Sequence, residues 1–290
     1  MSDPLKEERD WHAILDRVRQ SQGFDGRHYK PNYLKRRIAV RMRAVGVSTY
    51  PDYLRILESD PLEAEALIKR LTIHVTEFFR DADVHRAVEE KVLSGLEGNA
   101  DPISTRWMLR VWCAACSTGE EPYSLAMLLS EWIETRPGWD FHIIATDIDD
   151  ASIQTAVKGE YPEASISRLA PPRVSRWFSC DGGKARVKES LKERVRFKVH
   201  DLLGPWPEIL KGFDLVYCRN LLIYLGSAQQ QILYGRFHQV MNPGSYLVLG
   251  RTEALLGLGR RLFECTDIPN RIYRSVKDEG SEEGKGDPDG

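Results

Sequence analysis

At 290 residues, with 42% hydrophobic and 29% charged residues, the chain is long enough for one large domain or two modest ones with buried cores. A formal net charge of −2 gives no global reason to bind nucleic acid, no apolar run reaches the ~18 residues of a membrane span, and the charged start MSDPLKEERDWH does not read as a secretory signal. Five cysteines, an odd and scattered set, suit the reduced thiols of a cytoplasmic protein.

Up to about residue 95 the pattern is helical. If Tyr33 to Val45 is a helix, Leu34, Ile38, Met42 and Val45 share one face. Arg36 and Arg43 then stand opposite, with Arg37 and Arg41 flanking. Between Asp25 and Asp52 there is no acid, but there are seven cations: Arg27, Lys30, Lys35, Arg36, Arg37, Arg41 and Arg43. A solvated face is the ordinary explanation, and the complete lack of acids favours an acidic partner over it. Only Tyr29 and Tyr33 are available to stack on bases, which argues against a nucleic-acid partner. Next, DPLEAEALIKRLTIHV carries Leu62, Ala66, Leu67 and Leu71 at helical spacing, with Asp60-Pro61 as the helix start and Glu63 and Glu65 in the first turn. LSGLEGNADPIST reads as a loop.

Beyond it, apolar runs alternate with helical patterns. MLRVWCAAC, DFHIIATD, RVRFKVHD, FDLVYCRN and GSYLVLG read as strands. EPYSLAMLLSEWIE, DASIQTAVKG and AQQQILYGRFHQVM read as helices. Short, nearly continuous apolar strands separated by helices indicate a parallel sheet covered on both faces. RWFSCDGGKARV looks like a hairpin around Asp181-Gly182-Gly183, a small antiparallel insertion. From Val276 the sequence VKDEGSEEGKGDPDG reads as a disordered acidic tail.

In such a sheet the ligand crevice lies beyond the carboxyl ends of the strands. Four strands in succession end in polar residues there: CSTGEE, Thr146-Asp147, His200-Asp201 and Arg219-Asn220. Cys113 and Cys116 form a C-x-x-C, but no second pair with zinc-ligand spacing accompanies it, so no metal site is expected. The first loop has neither G-x-G-x-x-G nor a Walker lysine. It offers Glu120 and Glu121 at a helix start, where carboxylates repel a phosphate and suit a cationic nucleoside. Asp147, 28 residues on from Gly119, suits the hydroxyls of a ribose. S-adenosylmethionine is a ligand of that description.

The chain closely resembles the CheR family of bacterial chemoreceptor methyltransferases. Five motifs in order carry the likeness: TEFFRD, VWCAACSTGEEPYSLAM, ATDID, FDLVYCRNLLIY and PGSYLVLGRTE. It implies an α/β fold, a doubly wound Rossmann-like class I methyltransferase domain with a small antiparallel β insertion, preceded by a small all-α domain. The domain expectation is a helical domain and linker over 1–92, a methyltransferase domain over 93–275 with its insertion at about 162–195, and the tail over 276–290.

The resemblance further implies S-adenosylmethionine as cofactor and methyl-ester formation on the γ-carboxylate of receptor glutamates. Carried over by motif, Thr76, Arg80, Glu121, Asp147, Asp201, Leu202, Arg219 and Asn220 line the cofactor pocket, and Arg80 and Tyr224 face the reacting end. Whether Glu120 or Glu121 reaches the cofactor stays open. A structural ion pair with Asp81 or Asp83 is the plain alternative for Arg80, and core packing for Tyr224. His74 stands where an asparagine is expected near the cofactor, Asp201 replaces an amide, and Arg251 replaces a serine.

The basic face of Arg36, Arg37, Arg41 and Arg43 would meet the cytoplasmic methylation helices of chemoreceptors. The hairpin turn looks shorter than the family's, which argues against docking of a receptor C-terminal peptide. No membrane insertion is expected. Rival readings are a methyltransferase for RNA or a small molecule, and an S-adenosylmethionine-binding regulator without turnover.

Overall fold

A computed structural model describes residues 4–72, 76–98 and 103–276. His74 and the acidic tail beyond Val276 lie outside the described residues. The chain divides into two compact units.

The first unit holds the described residues up to 72 together with Tyr224–Gln230. It contains α1 (Pro4–Gln22), α2 (Pro31–Ala44), α3 (Tyr50–Ser59) and α4 (Pro61–Leu71). Local chemistry sets the helix starts. Pro31 and Pro61 occupy early positions that need no amide donor, the Thr49 hydroxyl accepts from the Asp52 amide, and the Asp60 carboxylate accepts from the Leu62 amide. The core comprises Trp11, Ile14, Leu34, Ile38, Tyr53, Leu57 and Leu67, all buried. On α2 the expected stripe is buried at Leu34, Ile38 and Met42, whereas Val45, expected to end it, follows the last helical residue and is half-buried.

On α4 the stripe differs from the one the spacing predicts. Leu62 is 71% exposed, and the buried face runs Glu63, Ala64, Leu67, Leu71. Arg41 and the Tyr53 hydroxyl both bind the Glu63 carboxylate, and this draws that side of α4 inward.

The second unit begins with α5 (Ala82–Ala87), which continues through a π-helical stretch, Val88–Leu93, into α6 (Ser94–Gly98). Sequence alone assigns most of this run to the N-terminal domain. Instead Val84, Val88, Val92, Leu93 and Leu96 enter the same apolar core as the sheet, which assigns the run to the second unit.

Then follow β1 (Trp107–Ala114), α7 (Glu120–Ile133), β2 (Trp139–Asp147), α8 (Asp150–Lys158), β3 (Glu160–Pro162), α9 (Pro171–Trp177), β4 (Phe178–Asp181), β5 (Lys184–Val187), α10 (Glu189–Lys192), β6 (Val195–Val199), β7 (Phe213–Cys218), α11 (Ser227–Val240), β8 (Met241–Leu249), α12 (Leu258–Leu262), β9 (Phe263–Asp267) and β10 (Ile272–Ser275).

The main sheet has seven strands in the order β6-β2-β1-β7-β8-β10-β9. The first five are mutually parallel and the last two antiparallel. The chain winds outward from β1 through β2 to β6 and then returns to the other side of β1 as β7. The switch point is therefore beside β1, where a ligand crevice is expected at the carboxyl ends. Strands β9 and β10 have no counterpart in the sequence expectation. They are short, five and four residues on either side of a turn that starts at Asp267, and their burial does not alternate, so period alone gives a weak signal.

A separate sheet, β3-β5-β4, forms the antiparallel insertion. Its hairpin turns on Gly182 and Gly183 at φ 58° and 77°, the left-handed pair a two-residue turn requires. Helix α7 is buried on nearly every side, with Tyr123, Leu125, Ala126, Met127, Leu128 and Leu129 all in the core. Each fully buried leucine there contributes about 1.5–3 kcal/mol over leaving it in water. This fixes the start of α7, and with it Glu120 and Glu121, against the end of β1.

Candidate active site

The loop from β1 to α7 is tightly wound. Ala115, Ser117 and Gly119 all have positive φ, and a Cβ on Gly119 would meet the Ala156 Cβ at 2.7 Å and the Tyr161 hydroxyl at 2.9 Å. Only glycine fits there. The Ser117 amide donates to one Asp147 oxygen at 2.8 Å, and the Asp149 amide donates to the other at 3.0 Å. Asp147 thus joins the ends of β1 and β2.

The two adjacent glutamates diverge. The Thr118 hydroxyl donates to Glu120 at 2.7 Å, and the Tyr161 hydroxyl, donating to the Thr118 carbonyl at 2.7 Å, closes that side. Glu121 turns to the other side, where Arg219 donates to it at 3.0 Å. Burial pushes both carboxyl groups above their ordinary range, and at Glu121 the Arg219 charge opposes the push. Cys113 and Cys116 are buried free thiols, raised by burial and by the neighbouring acids, so they are inert rather than nucleophilic. Among the described residues no group of His, Cys, Asp or Glu is arranged to hold a metal ion.

Arg219, at the end of β7, has a fully enclosed side chain. Besides Glu121 it pairs with Asp81 and donates to the carbonyl of Arg80 at 3.2 Å. The Phe79 amide donates to the Ser124 hydroxyl at 2.8 Å, and that hydroxyl donates to the Glu120 carbonyl at 2.6 Å. The backbone on both sides of Arg80 is therefore tied to the β1 and β7 ends, with Phe79 and Asp81 in the left-handed region at φ 51° and 57°. Phe78 anchors the segment in the core, edge-on to Tyr161 and Phe178. Thr76 precedes it, half-buried. Asp81 pairs with Arg219, and Asp83 with Arg251 at 3.0 Å and Arg86 at 3.7 Å.

Asn220 has φ 61°, and its amide donates to Glu253 at 2.9 Å. Glu253, 3% exposed, also accepts from the amides of Gly250 at 2.6 Å and Ile223 at 3.3 Å. Burial raises its carboxyl and these amides hold it down. Gly250 lets the loops approach, since a Cβ there would lie 2.6 Å from the Asn220 side-chain nitrogen. Asp201 is exposed and accepts from the Leu203 amide at 2.9 Å. Leu202 is buried, and its carbonyl accepts from the Trp206 indole at 2.8 Å.

Sequence reasoning named Arg80, Glu121, Asp147, Arg219 and Asn220 and offered Asp81 only as a partner of Arg80, but gave no role to Ser124 and Glu253. Both lie inside quoted motifs whose flanking residues attract attention instead. Glu253 had a usable signal, an acid three residues after a strand-ending glycine, placed to accept backbone amides.

Tyr224 groups with the helical unit, where its ring lies 4.7 Å from that of Tyr33. The basic face of α2 needs correction. Arg41 is not turned outward: it makes a bidentate pair with buried Glu63. Arg27 pairs with Asp25, and Lys35 with Glu8 at 2.8 Å. Arg36 and Arg43 are exposed without an ion pair among the described residues, and Arg37 is half-buried with its guanidinium 5.6 Å from the Tyr33 ring centroid.

The donor set of the crevice is Glu120, Glu121, Asp147 and Asn220, with one arginine already neutralised by two acids. A helix start bearing two buried carboxylates disfavours a phosphate, and the set fits the ribose and the positively charged amino-acid end of S-adenosylmethionine. No helix among the described residues is long and apolar enough to cross a membrane.

Comparison with known proteins agrees. Residues 74–272 match the "CheR methyltransferase, SAM binding domain" model and residues 9–72 the "CheR methyltransferase, all-alpha domain" model. A chemotaxis protein methyltransferase of Listeria monocytogenes is 34% identical over 86% of this chain and 91% of its own length. That of Escherichia coli K12 is 33% identical over 87% and 86%. An uncharacterized 104.1 kDa protein of Rhodobacter capsulatus, from the hypE 3' region, is 38% identical over 86% of this chain, which spans 26% of that relative's length. On the family models and these full-length relatives, the chain belongs to the CheR methyltransferase family, with an all-α domain preceding its S-adenosylmethionine-binding domain.

Proposed function

We propose that the protein methylates the γ-carboxylate of glutamate residues on the cytoplasmic helices of chemoreceptors, forming glutamyl methyl esters, and that it acts in the cytoplasm. The observation that carries this reading is the clamp on Arg80. Its own carbonyl is held by Arg219 at the end of β7, and the amide before it by Ser124 in the second turn of α7.

Bound S-adenosylmethionine supplies an electrophilic methyl group on its sulfonium. On this reading the family resemblance assigns His74, Thr76, Arg80, Glu120, Glu121, Asp147, Asp201, Leu202, Arg219 and Asn220 to the cofactor. A glutamate side chain, with an ordinary pKa of about 4.3, is already an anionic nucleophile at neutral pH, so no general base is needed. The task left to the protein is to desolvate and align the carboxylate, and orientation of this kind supplies several kcal/mol of the barrier. Arg80 forks the incoming carboxylate. The family resemblance assigns Tyr224 to the same step, as a hydrogen-bond donor or a wall of the methyl path.

Receptor helices rich in glutamate are acidic, and Arg36 and Arg43 are the exposed cations of α2 that no acid of this chain neutralises among the described residues. Arg37 contributes from the edge of that face, whereas Arg41 is committed to Glu63.

The test is peptide mapping of a receptor cytoplasmic fragment after incubation with enzyme and S-adenosylmethionine. Methyl esters on glutamates, lost with Arg80→Ala, support the reading. Methylation of any other side chain, or of RNA or a metabolite in place of the receptor, contradicts it.

A further inference from the structure

We propose that Tyr33 is a positioning residue for Tyr224, fixing the ring that the family resemblance assigns to methyl transfer. The inference rests on the assignment of Tyr224 to the reaction.

Tyr224 is held by the helical unit on its backbone and on its ring. The Lys30 amide donates to the Tyr224 carbonyl at 2.8 Å, the Gly226 amide donates to the His28 carbonyl at 3.0 Å, and Tyr29 pairs with Leu225 in an antiparallel bridge. The segment 28–30 and the segment 224–226 are thus joined as a short two-strand splice. The rings of Tyr33 and Tyr224 then lie with centroids 4.7 Å apart and planes tilted by 36°.

Tyr33 is itself immobilised. It is buried, its hydroxyl donates to the Leu71 carbonyl in the last turn of α4, and the Arg37 guanidinium, one turn along α2, lies 5.6 Å from its ring centroid. Helix C-termini leave carbonyls without an intrahelical donor, so the Tyr33 hydroxyl has a fixed partner and the ring cannot rotate away without leaving that carbonyl unpaired. A leucine would fill the same space as apolar packing. It would not present a flat face to Tyr224 or tether that face to α4. A ring pressed on a fixed ring loses rotamer freedom, and small displacements of a reacting group are expensive in rate.

The experiment compares the full chain with Tyr33→Leu, Tyr33→Met, Tyr33→Phe, Tyr224→Phe and Tyr33→Leu/Tyr224→Phe. It measures kcat and KM for a receptor cytoplasmic fragment, together with S-adenosylmethionine affinity. Methionine fills the site adaptably, so it provides a folded test if leucine does not. The expected result is a fall in kcat on the order of tenfold for Tyr33→Leu and Tyr33→Met, with receptor KM and cofactor affinity unchanged. Tyr33→Phe, which keeps the ring face, retains most of the rate. In the double variant the Tyr33 change adds nothing to the loss from Tyr224→Phe, because both act through one group.

Wild-type kcat in the folded Tyr33 variants, a change confined to receptor KM, or multiplicative losses in the double variant overturn the inference while leaving Tyr224 in its role. Full activity of Tyr224→Phe overturns the hydrogen-bond role, on which the expected losses rest, and this inference with it.

Discussion

Arg219 shows how much of this site is electrostatic arrangement. Its enclosed guanidinium serves Glu121, Asp81 and the Arg80 carbonyl together. Removing one partner of such a buried set leaves an uncompensated charge, so Arg219→Met is expected to lose about 3–5 kcal/mol of stability, read by denaturant unfolding. Arg80→Ala should behave differently. It abolishes turnover while the cofactor dissociation constant, measured by calorimetry, changes only a few-fold; a loss of affinity with turnover intact would make Arg80 a binding residue.

His85 gives a pH prediction. Burial, helped by the positive charge of Arg219, pulls its pKa down to about 3 from 6.5. The native imidazole is therefore neutral where the unfolded one binds a proton. Its contribution is present above pH 6.5 and is lost as pH falls toward 3, with a limiting slope of about 1.36 kcal/mol per pH unit. His85→Phe should flatten that part of the acid-unfolding curve, and an unchanged slope would place the acid sensitivity elsewhere. At this scale the sequence showed which polar residues end each strand, as with Asp147 at the end of β2. It did not show the partner of Asp81, which Arg219 supplies from the end of β7, nor that amides of Asn220 and Ile223 join that of Gly250 on Glu253.

Among the elements, α2 is the instructive case. Its apolar stripe was readable from spacing, because periodicity depends on the helix alone. Its free charge was not, because the acids that neutralise Arg41 and Lys35 arrive from α4 and α1. Charge reversal therefore has to be placed with care. Arg36→Glu/Arg43→Glu should raise receptor KM with an unchanged melting transition, whereas Arg41→Glu sets an acid against buried Glu63 and should destabilise by about 3 kcal/mol or more. Equal melting losses in both would make the whole face structural. The β1–α7 loop carries a second element-scale prediction. Gly119, at φ 97° with the Ala156 backbone 3.1 Å from its ideal Cβ, admits no alanine without moving α8. Gly119→Ala should lose cofactor binding, which calorimetry would show.

At the scale of the molecule, the parallel sheet covered by helices was the reliable inference. Continuous apolar strands alternating with helices leave few topologies, and the seven-stranded sheet with its switch beside β1 is one of them. The division of the chain was less legible. Residues 82–92, α5 and the π-helical stretch after it, look from composition like part of the N-terminal domain, yet their valines pack in the core of the sheet unit, as does Leu96 of α6, from the run read as a loop. Local sequence shows which face is apolar but not which unit covers it. Likewise Tyr224 follows β7 in the chain and belongs to the helical unit in space.

The central claim, ester formation on receptor glutamates, is tested most directly with S-adenosylmethionine carrying a tritiated methyl group and membranes bearing the cognate receptors. After reaction, the labelled methanol released by base is counted. Base-labile label on a receptor-sized band is the predicted result. Label that survives base, or no label from a preparation that binds the cofactor, would contradict it.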